Sequence, residues 1–140
     1  MGSRARLPPF SSPVQTAVIR YVVFGPTATI AQVAFYERML IACPPDVRAA
    51  CGVAMSEMNL WHAATRLTVP TLVLAGADDR LTPAAHARRI AETLPDPAGL
   101  IELPETGHML PLERPDELSA ALAGLVADSA LARTEPLSNT

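Results

Sequence analysis

Apolar residues recur at helical spacing from residue 13 onward, which predicts that the chain begins with a helix. This helix starts at Pro13 with Ser12 as its N-cap, and it stops before Gly25 and Pro26. The positions that share the helical spacing are Val14, Ala17, Val18, Tyr21 and Val22. Adjacent β-branched pairs in the same stretch, Val18-Ile19 and Val22-Val23, keep a strand open as an alternative.

Two further helices are predicted before residue 66. One covers residues 29–42 and stops at Pro44 and Pro45, and the next begins near Asp46. The apolar face of the second of these helices is formed by Val47, Ala50, Cys51, Ala54, Met55 and Met58. Residues 13–66 are therefore predicted to form a helical region, preceded by a disordered leader over residues 1–12.

The pattern changes at Leu67 to short apolar runs separated by helical stretches. Residues 71–75 lack polar alternation, which predicts a strand buried on both faces. Thr82 and Pro83 are the predicted N-cap and first residue of a helix that runs to Leu94. A strand over residues 99–103 and a helix from residue 115 complete a β-α-β-α unit over residues 67–132, and residues 133–140 are predicted to be a tail.

Composition narrows the classes of function. The chain has 140 residues, of which 49% are hydrophobic and 18% charged, with mean hydropathy +0.22, values typical of a folded domain. A net charge of −3 without a basic stripe argues against a nucleic-acid partner. No apolar run reaches the roughly 18 residues of a membrane span, so a cytoplasmic location is expected by default. Cys43 and Cys51 fit no metal or redox spacing and are expected to be buried, reduced thiols.

Two residues with acid-base chemistry follow the two predicted strands. Asp79 comes after the first strand and His108 after the second, 29 residues later. A parallel β-α-β crossover of roughly 30 residues brings the ends of its strands to the same edge of the sheet. The spacing therefore predicts that the carboxyl group and the imidazole meet.

Other interpretations of these residues stay open at this point. Asp79 could order its own loop or pair with Arg80, Asp78 could replace it beside the histidine, and His108 could be structural. His62 and His86 are expected to be surface or packing residues. A metal site built from Asp78, Asp79, His86 and His108 lacks any His-x-x-x-His or Cys-x-x-Cys spacing, so no metal or other cofactor is expected.

The two loops resemble those of a known family. The segment GADDRLTP at residues 76–83 resembles the acid loop of the α/β-hydrolase superfamily, and GHMLPLERP at residues 107–115 resembles its histidine loop. The resemblance implies a partial α/β-hydrolase fold in which the helical region is a cap and residues 67–132 end the parallel sheet. It also implies that Asp79 is the acid of a catalytic triad and His108 its histidine.

The nucleophile that this resemblance calls for has no match in the sequence. A serine of this family sits on a Gly-x-Ser-x-Gly turn upstream of the acid, and no two of the seven glycines lie four residues apart. The resemblance thus implies the C-terminal portion of a serine-dependent hydrolase of carboxylic esters or similar acyl compounds, inactive until an N-terminal half supplies the serine. The alternative is a truncated, non-catalytic remnant that binds a partner or itself through an exposed sheet edge.

Overall fold

The computed structural model describes residues 12–134, in which helices surround a pair of parallel strands. The elements in chain order are α1 (Pro13–Val23), α2 (Ile30–Ala42), α3 (Pro45–Glu57), α4 (Trp61–Ala64), β1 (Thr71–Gly76), α5 (Ala84–Thr93), β2 (Pro97–Leu103), α6 (Leu110–Glu113) and α7 (Pro115–Thr134). The predicted leader lies outside the described residues except for Ser12. The predicted tail lies outside them from residue 135, and α7 extends two residues into its range.

Capping side chains fix where the first two helices begin. The N–H of Gln15 donates to Ser12 Oγ at 3.1 Å, so the first segment is a helix, and the strand alternative is wrong. Thr29 and Gln32 form a capping box at the start of α2, in which the N–H of Thr29 donates to Gln32 Oε1 at 2.7 Å. These local contacts fix the first residues of the two helices that enclose the core.

The best-buried cluster of apolar side chains lies between α1 and α2. Its buried members are Ile19, Val23, Phe24, Ala28 and Val33. The Phe24 ring meets the Tyr36 ring edge to face, with centroids 5.8 Å apart, an arrangement that the ring quadrupoles favour. Met109 packs against this cluster from the loop that follows β2. The helical region and the histidine loop therefore share one core.

Strands β1 and β2 pair in parallel, as the spacing of the sequence predicts. Leu72 lies opposite Gly99 and Gly76 opposite Leu103, and α5 crosses over to join them. The guanidinium of Arg88 on α5 forms a bidentate ion pair with the carboxylate of Glu102 on β2, and both N···O distances are 2.7 Å. The parallel pairing of β1 and β2 brings the C-terminal ends of both strands to one edge of the sheet.

Burial differs from the sequence-based prediction at two places. Residues 71–75 of β1 are half-buried rather than buried on both faces, because within residues 12–134 the sheet has only two strands and β1 has one neighbour. Cys51 is exposed on α3 and Cys43 is half-buried, so the prediction of two buried thiols is wrong. Side chains on α3 form no buried cluster that could enclose Cys51.

The last helix, α7, is the longest of the described elements, with 20 residues. Asp116 and Glu117 stand in its first turn, where carboxylates interact favourably with the helix dipole. Leu122 and Val126 remain more than half exposed on its surface. Among the helices within residues 12–134, none has both the length and the apolar character needed to cross a membrane.

Backbone segments approach one another closely where the two strands end. A Cβ atom on Gly76 would collide with the carbonyl oxygens of Thr106 and Gly107. A Cβ on Gly107 would lie 2.5 Å from the nitrogen of Gly25, which begins the turn between α1 and α2. Only glycine fits these positions, because the obstacle is backbone that cannot move aside.

We therefore expect Gly76→Ala to lower the free energy of unfolding by about 3 kcal/mol, since the methyl group overpacks this contact. Gly52→Ala is the matched control, because nothing lies within 4 Å of its added Cβ on α3. That control should stabilise the chain by about 0.5–1 kcal/mol through helix propensity. Urea unfolding of both variants measures the difference, and equal effects would contradict the close packing.

Candidate active site

The loop after β1 turns around the Asp79 carboxylate. Asp79 Oδ1 accepts hydrogen bonds from the backbone N–H groups of Leu81 at 2.8 Å and Thr82 at 2.9 Å. Such a turn, closed by an aspartate side chain, is a common way to reverse the chain in a short loop. The side chain is thereby fixed at the C-terminal edge of the sheet.

The loop after β2 is held from the opposite side by the helical region. The N–H of His108 donates to the carbonyl of Val23 at 2.8 Å, and Met109 packs into the core beside it. Backbone bonds also tie this loop to the first one, because the N–H of Asp78 donates to the Thr106 carbonyl at 2.9 Å. The two loops thus form one hydrogen-bonded unit.

The structure brings Asp79 and His108 together. His108 Nδ1 lies 2.9 Å from Asp79 Oδ2, with 8% of the aspartate side chain and 39% of the histidine side chain exposed. An ionised carboxylate can only accept, so the proton of a neutral imidazole belongs on Nδ1 in this arrangement. The Nε2 atom then carries a free lone pair that can take a proton from another group.

The environment of Asp79 favours its ionised form. Burial opposes the charge, but the N–H of Thr82, the imidazole of His108, the hydroxyl of Thr82 and the N–H of Leu81 outweigh it and hold the pKa of Asp79 below its ordinary value of 3.8. The carboxylate is therefore charged at neutral pH. The negative charge of this carboxylate can stabilise the His108 imidazole when that ring becomes protonated.

Thr82 has a different position from the one predicted by the sequence. It is not the N-cap of α5; Pro83 precedes the first helical residue, Ala84, and no side-chain cap is present. The Thr82 hydroxyl instead lies 2.7 Å from Asp79 Oδ2 and 3.2 Å from His108 Nδ1. Sequence reasoning missed this contact, although the Asp-x-x-Thr spacing is itself typical of a turn closed by side chains.

Glu113 is a second residue that the sequence-based analysis missed. From the short helix α6, its carboxylate accepts the N–H of Gly25 at 2.8 Å and the N–H of Gly107 at 3.1 Å. Because these two N–H groups belong to different segments, the carboxylate joins the α1–α2 turn to the histidine loop. The signal in the sequence was a single acidic residue five positions after His108.

The remaining candidates lie apart from this pair. The guanidinium of Arg80 donates to the Tyr21 carbonyl at 2.9 Å and stacks over the Tyr21 ring. It is therefore directed at Tyr21 and does not form an ion pair with Asp79. His62 and His86 are exposed. Within residues 12–134, no group of three or more histidine, cysteine and carboxylate side chains could hold a metal ion.

We expect Glu113→Gln to lower the free energy of unfolding by about 2 kcal/mol, because it weakens charge-assisted bonds to the N–H groups of two buried glycines, Gly25 and Gly107. The control is Glu117→Gln, which affects a loose surface pair with Arg114 at 3.7 Å and the interaction of an exposed carboxylate with the α7 dipole. Water screens both interactions, so the control should change stability by less than about 1 kcal/mol in urea unfolding. Similar losses in both variants would contradict the bridging role of Glu113.

Asp79 should also make stability depend on acid. Because its pKa is lower in the folded than in the unfolded chain, its contribution is complete above about pH 3.8 and is lost as the pH falls through the folded-state pKa. The difference in the free energy of unfolding between the wild type and Asp79→Asn should therefore become smaller below that pH. Asp78→Asn is the control, and a difference for Asp79→Asn that stays constant down to complete acid unfolding would contradict this prediction.

Comparison with known proteins assigns the chain to a family. The sequence model of the alpha/beta hydrolase family matches residues 2–121. A protein named "Putative carbamate hydrolase RutD" from Caulobacter sp. (strain K31) is 34% identical over 86 residues, which cover 61% of this chain and 32% of that protein. "Putative non-heme bromoperoxidase BpoC" from Mycobacterium tuberculosis is 29% identical over 90 residues, which cover 64% of this chain and 34% of that protein.

Solved structures share the same fold. A thermophilic esterase from Thermogutta terrifontis superposes with a TM-score of 0.72 at 22% identity, covering 83% of this chain and 44% of its own. The structure of BpoC from Mycobacterium tuberculosis also gives a TM-score of 0.72, covering 90% of this chain and 47% of its own. The chain spans about a third of the length of the curated relatives it matches. On the family match and the shared fold, this chain belongs to the alpha/beta hydrolase family.

Proposed function

We propose that Asp79 and His108 are the acid and the histidine of a hydrolytic triad, and that this chain is the C-terminal portion of a serine-dependent hydrolase. The observation that carries the proposal is the 2.9 Å contact between His108 Nδ1 and Asp79 Oδ2. It joins a charged carboxylate to an imidazole whose other nitrogen remains available, which is the arrangement that a general base requires.

In the proposed reaction, His108 Nε2 takes the proton of a serine hydroxyl while the serine oxygen attacks the carbonyl carbon of the substrate. The imidazolium that forms is stabilised by the ionised Asp79, and it then gives its proton to the leaving alcohol. Water repeats the same steps to release the acid. Asp79 stays ionised throughout, consistent with a pKa held below its ordinary value by four hydrogen bonds.

A carboxylic ester or a similar acyl compound is the proposed substrate class. Two solved structures of similar fold are described as esterases, and one curated relative is named a carbamate hydrolase. Both activities act on a carbonyl carbon bonded to a leaving group. The fold alone does not select among such substrates, so the proposal rests on the acid-histidine pair together with these names.

We propose that the serine comes from a different polypeptide segment, which corresponds to the N-terminal half of the hydrolase. The 140 residues contain no Gly-x-Ser-x-Gly turn. Ser56 lies in the last turn of α3, where its hydroxyl donates to the Val53 carbonyl at 2.7 Å, and it does not sit on the strained strand-to-helix turn that exposes a nucleophile. The chain by itself is therefore expected to be inactive.

A non-catalytic remnant is the second candidate, favoured by apolar surface that the described residues leave uncovered. Strand β1 has one neighbour among residues 12–134, so its other edge can add a strand from a partner or a second copy. Several large apolar side chains of α3 and the segment after it are more than half exposed, namely Val53, Met55, Met58 and Leu60. This candidate predicts association without turnover.

Reconstitution with a nucleophile separates the two candidates. The N-terminal portion of a relative chosen for its Gly-x-Ser-x-Gly turn is mixed with the 140-residue chain, or fused ahead of it, and hydrolysis of p-nitrophenyl butyrate is measured. We expect turnover in the reconstituted protein and none by the chain alone. In the active form, His108→Gln should lower kcat by about 10⁴-fold or more, since removal of one triad member disables the others.

Two results would overturn the proposal. The first is turnover by the purified chain alone that His108→Gln does not reduce. It would show that hydrolysis needs neither an added serine nor His108. A fusion that unfolds cooperatively but gives no turnover would favour the remnant. His86→Gln is the matched control, since His86 is exposed on α5, and it should retain full activity.

A further inference from the structure

We propose that Thr82 is a positioning residue of the Asp79–His108 pair, holding the carboxylate and the imidazole in one relative orientation through its hydroxyl. Its effect on catalysis rests on the function proposed above, whereas its effect on the geometry of the pair does not. Thr82 is exposed at the start of the turn that leads into α5.

The hydroxyl proton of Thr82 belongs to the bond with Asp79. Thr82 Oγ1 lies 2.7 Å from Asp79 Oδ2, a distance typical of a hydroxyl donating to a charged oxygen. A hydroxyl has one proton and two lone pairs, so once the proton points at the carboxylate the oxygen can only accept from other groups. The neighbour at 3.2 Å is His108 Nδ1, so the imidazole is the donor to Thr82.

His108 Nδ1–H therefore faces two acceptors. Asp79 Oδ2 lies at 2.9 Å and Thr82 Oγ1 at 3.2 Å, an arrangement that allows one proton to be shared in a three-centre bond. If the ring carried its proton on Nε2, the Nδ1 lone pair would face the carboxylate, and the Thr82 hydroxyl could donate to Nδ1 only by giving up its 2.7 Å bond to Asp79 Oδ2. If the ring turned over, a C–H group would replace the N–H. Both alternatives lose hydrogen bonds, so the hydroxyl adds to the preference for one tautomer and one ring orientation.

Thr82 also restrains Asp79, because it contacts both oxygens of that carboxylate. Its backbone N–H donates to Oδ1 at 2.9 Å, and its hydroxyl donates to Oδ2. The carboxylate cannot rotate about its own axis without breaking one of these bonds. The residue is itself stiff, because a β-branched side chain has restricted rotamers and the following Pro83 limits the backbone of Thr82 to extended conformations.

Thr82→Val tests the inference in the 140-residue chain, because it keeps the shape of the side chain and removes the hydroxyl. The readout is the pair of 15N chemical shifts of His108 at alkaline pH, which report the fraction of the imidazole protonated on Nδ1. We expect this fraction to fall in Thr82→Val and to remain as in the wild type in Thr82→Ser, which restores the hydroxyl. Thr93→Val is the matched control, since its hydroxyl donates to the Arg89 carbonyl at the far end of α5.

Kinetics in the reconstituted hydrolase give the second readout. Thr82→Val should lower kcat by about tenfold with little change in KM, the size of effect expected from one hydrogen bond to a charged group. Thr82→Ser should recover most of that loss, which a general packing role would not predict. If Thr82→Val does not fold, Thr82→Ala and Thr82→Ser are compared in the same two measurements.

The outcomes separate this inference from the proposed function. Identical His108 shifts in the wild type and Thr82→Val would overturn the positioning role of Thr82, whatever the kinetics show. A changed tautomer fraction in Thr82→Val, with no turnover by any reconstituted form, would support the positioning role and count against the hydrolytic triad. An equal loss of kcat in Thr82→Val and Thr93→Val would also overturn the specific role of the hydroxyl.

Discussion

The contact between Asp79 and His108 depends on how closely three backbone segments approach one another. The end of β1 at Gly76, the histidine loop at Gly107 and the α1–α2 turn at Gly25 meet where no side chain fits. The Glu113 carboxylate then accepts an N–H from two of these segments. Because a hydrogen bond tolerates only a narrow range of distances, a displacement of either loop by about one ångström would break the 2.9 Å bond between Asp79 and His108.

Much of this arrangement could be predicted from local pattern. The helix cap at Ser12, the strand near residues 71–75 and the parallel crossover all follow from neighbouring residue types, and the structure agrees. The meeting of Asp79 with His108 also follows, because parallel strands end at one edge whatever their side chains are. Such features are set by turns, periods and chain lengths that a sequence displays directly.

Other features depend on information that the local pattern does not contain. Thr82 has the residue type of an N-cap, and only the three-dimensional course of the loop shows that its hydroxyl is used by Asp79 and His108 instead. Glu113 contacts Gly25, which lies 88 positions away. The half-buried state of β1 depends on how many strands flank it, since an apolar run indicates what a strand can bury but not what is there to cover it.

Glu113 has a consequence for any exchange of helical regions between members of the family. Its carboxylate joins the turn after α1 to the histidine loop by accepting an N–H from each. A graft that replaces this turn would therefore exchange one of the two segments that Glu113 connects. A chimera that retains Gly25 with its own Glu113 would keep the bond between the two segments, provided that the new α2 also offers Met109 an apolar surface to pack against. The practical boundary between exchangeable and fixed parts of this protein thus lies inside the helical region, just past Gly25, rather than at the start of the first strand.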